Sequence, residues 1–154
     1  MTTFAKLSDP GAVDSLTARL NALLPGSERQ WGRMTSHQMV CHLSDAFLVV
    51  TGHRPVATRG DHWFNRTVVK WIALHTSMTW PKGVKTMPEV DAEKGGTAPD
   101  VFEGDRARAI ALLRAFGAPT SVPAAHPLFG TMSRDEWMIW GYRHTDHHLR
   151  QFGG

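Results

Sequence analysis

Three times along the chain, a short polar residue is followed three positions later by Gln or Glu, then by an apolar run ending at glycine. The starts are Thr35–Gln38, Asp100–Glu103 and Ser133–Glu136; the stops are Gly52, Gly117 and Gly153. Each start has the form of a capping box, in which two side chains satisfy backbone N–H groups that the first helical turn leaves unpaired. Glycine suits the stop because it takes the left-handed conformation without steric penalty. A further helix is marked differently. In SDPGAVDSLTARLNALLPG, Ser8 or Asp9 stands as cap and Pro10 at the first helical position. Leu16, Leu20, Leu23 and Leu24 form its apolar stripe, and Pro25-Gly26 ends it. The stretch from about Asp61 to Met78 carries Trp63, Phe64, Val68, Trp71, Ile72 and Leu74. It reads as a helix, with strand left open by its β-branched residues. No run alternates with period two, and no Asn-Gly or Asp-Gly hairpin turn occurs. The prediction is one all-α domain over residues 1–154, a four-helix bundle with one additional helix.

Two long segments lack a helical pattern. Residues 79–99 hold three prolines and three glycines, and residues 118–132 hold three prolines. Loops of this length in a compact domain tend to be functional or disordered. Trp80, Val84, Met87 and Val90 predict that the first packs against the bundle.

A chain of 154 residues buries roughly 68–70% of the surface it exposes when unfolded, so it needs no disulfides. Its one cysteine, Cys41, excludes an internal disulfide and a cysteine-rich zinc site, and fits a reducing cytoplasm. The N-terminus lacks the basic start and apolar run of a signal peptide. No stretch approaches the roughly 20 apolar residues of a membrane span. The net charge of +3 comes from 17 basic and 14 acidic residues. They are interspersed, as on solvated helix faces, with no basic run or groove-reading motif for nucleic acid.

The chain has nine histidines, and three of them fall in HTDHHLRQF near its end. At about 100° per residue, Trp137, Trp140, Gly141, His144, His148, Gln151 and Phe152 share one face of the last helix. Asp146 and Arg150 point the other way, and His147 lies at the flank. A buried imidazole without a partner costs roughly 1–3 kcal/mol. Residues at i and i+4 stack on one face, so one divalent ion can satisfy both His144 and His148. Gly141, one turn earlier, leaves room for another helix or a ligand. A third ligand has to come from a facing helix. His42, in MVCHLSDAF, lies beside an apolar stripe and is the candidate. Three histidines with an open position suit a catalytic site of the zinc type. The spacing alone also describes polar residues on an exposed helix, and His42 alone a hydrogen-bonded core histidine. The H-E-x-x-H protease motif is absent, since position 145 is threonine.

One histidine in the context Trp31, Thr35, Gln38, His42, Leu43, Asp45, with H-x-x-x-H on the last helix, resembles the DinB/YfiT-like superfamily of metalloenzymes. PKGVKTMPEVD, GGTAP, HPLFGTMSRDEW and HTDHHLRQFG resemble the signature of one bacterial branch. Together they run from Trp31 to Gly154. The resemblance implies a four-helix bundle holding zinc or nickel by His42, His144 and His148. It also implies activities such as thiol-dependent S-transfer, mycothiol-dependent isomerisation or hydrolysis.

Two more histidines are candidates beside the metal. His126, in a loop before the last helix, is placed as acid/base or substrate contact, or as a loop histidine bonding to backbone. His147 is placed as a support to the ligands or as an ion-pair partner outside the pocket. Cys41 points about 100° away from His42 and reads as a core residue. Lys82, Lys85 and Lys94 are candidates to meet an anionic cosubstrate. Three functions compete: a metalloenzyme acting on a small molecule such as a low-molecular-weight thiol, a metal-stabilised binding or stress-response module, and a bundle whose histidines only hydrogen-bond. Six tryptophans and seven phenylalanines exceed what one thin bundle hides. An exposed patch at Trp63 and Trp71, and a homodimer through it, are therefore expected. The alternative is that loop 79–99 covers those rings.

Overall fold

The capping boxes at Thr35 and Ser133 both form, with each hydroxyl accepting the N–H three residues on and each Gln38 or Glu136 side chain reaching back. A computed structural model describes residues 4–57 and 62–154. Its helices are α1 (Ala12–Ala22), α2 (Ser36–Val50), α3 (Lys70–His75), α4 (Phe102–Gly117) and α5 (Arg134–Arg150). Among the described residues there is no strand, only an isolated bridge between His126 and Gly130. The all-α expectation therefore holds. No helix of the described residues is long and apolar enough to cross a membrane.

Helix α4 packs on α1 and α2, and α5 packs on α1, α4 and α3. Leu16, Leu20, Met39, Leu43, Phe47, Leu113, Phe116, Met138 and Leu149 fill the core between them. Phe116 touches Phe47, Trp137 and Trp140, with ring centroids 5.2, 6.0 and 5.7 Å apart. These tilted and edge-on contacts favour the aromatic quadrupoles. Helices α2 and α5 instead face each other without close backbone packing, and the site lies in that gap.

Several predicted boundaries shift, each for a local reason. Helix α1 begins at Ala12, behind Gly11 at φ 76°, rather than at Ser8 or Asp9 with Pro10 inside. The Asp9 carboxylate is turned back to accept the Lys6 N–H at 2.9 Å and is lost to the helix. The capping box at Asp100–Glu103 does not form, because Val101 is the cap residue and offers no side chain. Glu103 pairs with Arg106, and Asp105 takes the Asp100 N–H at 3.0 Å. Gly117 is the last residue of α4 and is not left-handed. A Cβ there would meet Val13 at 3.0 Å, so glycine serves the α1–α4 approach. Gly52 and Gly153 are left-handed stops as expected, at φ 78° and 79°.

The stretch expected as a helix from Asp61 to Met78 is helical but shorter. A π-helical turn, Asn65–Val69, runs into α3, and Asp61 lies outside the described residues. The chain turns extended at Thr76, where Arg143 of α5 binds the carbonyls of Thr76 and Met78. Only Leu74 of α3 is buried; Trp63 and Trp71 are 73% and 59% exposed. The expected aromatic patch exists, and loop 79–99 leaves those rings exposed.

That loop packs instead against α2. Its short 3-10 turn, Pro88–Val90, is closed by bonds from the N–H groups of Gly95 and Gly96 to the carbonyls of Pro88 and Asp91. A Cβ on Gly96 would lie 2.8 Å from the backbone N, C and O of Asp91, a clash no rotamer relieves. Gly96→Ala is expected to lower stability by about 1–3 kcal/mol. An unchanged urea midpoint contradicts this reading of the loop.

Candidate metal centre

The apolar interior of α2 carries His42 into the gap, where it is 6% exposed. The inward face of α5 brings His144 and His148 to meet it. Ring centroids are 5.4 Å apart for His42–His144, 4.6 Å for His42–His148 and 4.8 Å for His144–His148. One ligand nitrogen from each ring lies within 4.8 Å of the other two. The structure thus brings together the three histidines singled out in the sequence.

Two of the rings are held by their outer nitrogens. His42 Nδ1 is 2.9 Å from the Val90 carbonyl, an acceptor only, so Nδ1–H donates and Nε2 keeps its lone pair. His148 Nδ1–H donates to Gln151 Oε1 at 3.1 Å. The amide of Gln151 is itself oriented, because its Nε2 donates to the Trp31 carbonyl at 2.9 Å. Gly32, at φ 81°, makes room: a Cβ there would lie 2.4 Å from that nitrogen. His144 lies flat on Trp140, at 5.0 Å and 10° between planes. Its Nδ1 is buried with no hydrogen-bond partner. An outer hydrogen bond that fixes the tautomer while the other nitrogen stays free is the usual support of a metal-bound histidine.

Burial holds all three rings below the ordinary imidazole pKa, with His144 and His148 well below it. The neighbouring rings add to this at His144, while the Val90 carbonyl opposes it at His42. At neutral pH the cluster is three neutral imidazoles with lone pairs available. The donor set fits a divalent ion, and the orphaned Nδ1 of His144 belongs to the same cluster.

The Val90 carbonyl is in place because its loop is clamped. Asp45, fully buried on α2, accepts the Thr97 N–H at 2.6 Å and the Thr97 hydroxyl at 2.7 Å. Arg54 reaches Asp45 at 3.3 Å and donates to the Glu89 carbonyl at 2.8 Å. Sequence reasoning missed Val90, Thr97 and Arg54 as supports, since a backbone carbonyl and a loop fold leave no side-chain spacing to read. Gln151 was placed on the right face but without a role.

The remaining candidates fall as follows. A cavity of about 890 Å³ opens above the three rings, bordered by Trp31, Met34, Trp80, Met87, Trp140 and His126, among others. His147 lines it between Trp31 and Trp80, 5.7 and 6.0 Å away, outside the three-ring cluster. Gly141 faces Leu7 and Phe116, which a Cβ would meet at 2.6 and 3.0 Å, so it serves helix packing and not a ligand. Lys82 lies over Trp31 at 4.5 Å, Lys94 is paired with Asp91, and Lys85 borders the cavity. Asp146, on the outer face as expected, binds Arg19 and Arg150.

His126 reaches the cavity wall with its ring stacked on Phe129. Its Nδ1 accepts the N–H groups of Leu128 and Phe129, both at 3.1 Å, so Nε2 carries the proton. Burial pushes its pKa from 6.5 down to about 3. Between those values the unfolded chain binds a proton that the folded ring refuses. The ring's contribution is intact above pH 6.5 and declines as pH falls toward 3, by at most about 1.4 kcal/mol per pH unit. His126→Phe is expected to make the acid limb of stability shallower in metal-free protein; an unchanged slope contradicts this.

A second group, His37, Cys41 and Asp105, also lies within 4.8 Å, but its members satisfy one another. His37 donates to Asp105 at 2.7 Å. The Cys41 thiol is pushed up to about 12, first by burial and then by Asp105. Cys41 is a core thiol, as its helix position predicts, and lies beside the Asp105 carboxylate.

A family model described as "Protein of unknown function (DUF1569)" matches residues 9–153, and the chain belongs to that family. No curated protein and no solved structure matches the chain.

Proposed function

We propose that this DUF1569 chain is a metal-dependent enzyme of DinB/YfiT-like type, holding zinc or nickel by His42, His144 and His148. The reaction class we favour is thiol-dependent transfer or hydrolysis on a small molecule. The observation that carries the reading is the cluster of three imidazoles bordering a cavity, with an unpartnered buried Nδ1 on His144. A bound ion would supply Lewis acidity toward a ligand in that cavity. The chain's own residues do the rest. Val90 and Gln151 hold two rings in the ligating tautomer. Trp31, Trp80 and Trp140 exclude water from the walls. His126 offers a proton-bearing Nε2, which makes it a hydrogen-bond donor to substrate rather than a base.

A metal-stabilised binding module is the second reading. The open cavity and the lack of a fourth ligand in the three-histidine cluster, among the described residues, favour the enzyme. Protein purified without a histidine tag should carry about one zinc or nickel per chain by elemental analysis. It should then turn over thiol-acceptor or ester substrates. Metal without turnover across such a panel favours the module, and no metal sinks both readings. The buried lone thiol suits a reducing cytoplasm. For the exposed α3 face we propose a second copy of the chain as partner. Light scattering is expected to give twice 17.1 kDa, and a monomer mass at micromolar concentration contradicts the dimer.

A further inference from the structure

Three neutral imidazoles add no charge to the ion they hold, so a loaded site keeps both positive charges of a divalent metal. Such a charge in an apolar cavity is unfavourable unless it is paired. The carboxylates near the cavity are committed elsewhere. Asp91 binds Lys94 at 3.0 Å and the Glu93 N–H at 3.0 Å. Glu93 takes the Gln38 amide at 3.2 Å and faces Arg33 at 3.7 Å. Asp45 is fully buried and saturated by Thr97 and Arg54. None belongs to the three-histidine cluster. A negatively charged head on the ligand would supply the missing charge directly.

The walls decide what that charge is attached to. They present mainly indole, thioether and aliphatic surface: Trp31, Met34, Trp80, Met87, Leu128 and Trp140. Indole and thioether surfaces adapt to flat and irregular apolar groups alike. The Trp80 indole N–H is spent on the Ala73 carbonyl at 2.9 Å, so that ring offers the cavity an apolar face. The volume of about 890 Å³ is in the range that takes a drug-sized molecule, roughly 300–1,000 Å³. Acetate-sized anions would leave most of it empty.

We infer that the site selects an anion carried on an apolar body, the head directed to the three histidines and the body lying along the Trp31–Trp80–Trp140 walls. This rests on the metal-site reading above. Hydrophilic thiols bearing sugar or amino-acid groups match these walls less well than an aryl or long alkyl acid.

Three probes separate head from body: 4-phenylbutanohydroxamate, acetohydroxamate and the uncharged 4-phenylbutanamide. Each is titrated into the zinc-loaded full chain with excess free zinc, following tryptophan fluorescence and heat. The phenylbutyl hydroxamate is expected to bind at least tenfold tighter than either of the others. Trp31→Ala should weaken it severalfold and weaken acetohydroxamate much less. Acetohydroxamate binding as tightly as the phenylbutyl compound overturns the apolar body. The amide binding as tightly as the hydroxamate overturns the anionic head. Zinc content is measured first on the same sample. Failure to load zinc overturns the metal site, and this inference with it.

Discussion

His144→Ala is expected to remove most of the stabilisation that zinc or nickel gives the native chain. A ligand that binds only the folded state at a hundredfold excess over its Kd adds about 2.7 kcal/mol. For a domain of this size that is about 5–10 °C in Tm. His144 is the sharpest choice, because its Nδ1 has no hydrogen bond to lose. The variant gives up contact with Trp140 and a ligand, but no polar partner is stranded. In metal-free protein it should therefore melt close to wild type, while the shift on adding metal collapses. His148→Ala should lose the same shift but also strand Gln151 Oε1. A wild-type melting temperature that ignores both metals, in protein verified metal-free, contradicts the assignment.

Asp45→Ala is expected to have the largest effect on the fold and a second effect on the metal. Breaking a buried ion pair by removing one partner costs about 3–5 kcal/mol, because the remaining group is left uncompensated. Here Arg54 and both donors of Thr97 lose their acceptor. The loop they hold carries the Val90 carbonyl that fixes His42, and supports of this kind alter metal affinity by about 10–100-fold. Asp45→Asn keeps the shape and one acceptor oxygen, so it should fold better than alanine and still bind metal more weakly than wild type. Zinc affinity of Asp45→Asn equal to wild type would separate the clamp from the metal centre.

The site was more legible than the helix ends. The i, i+4 spacing of His144 and His148 and the apolar setting of His42 are local facts. The helix periods then carry all three onto facing surfaces. Boundaries failed where a side chain had two possible acceptors or donors. Asp9 bonded backward to Lys6, and Glu103 chose Arg106 over a backbone amide. Both choices depend on neighbours that local pattern ignores. Gly117 was read as a stop, whereas its contact with Val13 explains it; Gly141 gives the clearance expected of it, to Phe116 of a neighbouring helix and to Leu7 rather than to a ligand.

Several motif residues that the sequence left without a role now have physical ones. The two glycines of GGTAP permit the tight backbone approach to Asp91 and Pro88. The threonine beside them meets Asp45. The glutamine of HHLRQFG bridges His148 to the Trp31 carbonyl. Apart from the i, i+3 contact of Gln151 with His148, none was derivable from spacing, because the partner lies more than fifty residues away or depends on how a loop closes.

The most direct test of the metal centre is an X-ray absorption spectrum of zinc-loaded, tag-free protein. Three imidazole nitrogens at about 2.0–2.1 Å, with the remaining position filled by light atoms and no sulfur, are expected. A sulfur scatterer at about 2.3 Å would move the ion to Cys41 with His37 and Asp105, and fewer than three imidazoles would break the His42, His144, His148 assignment.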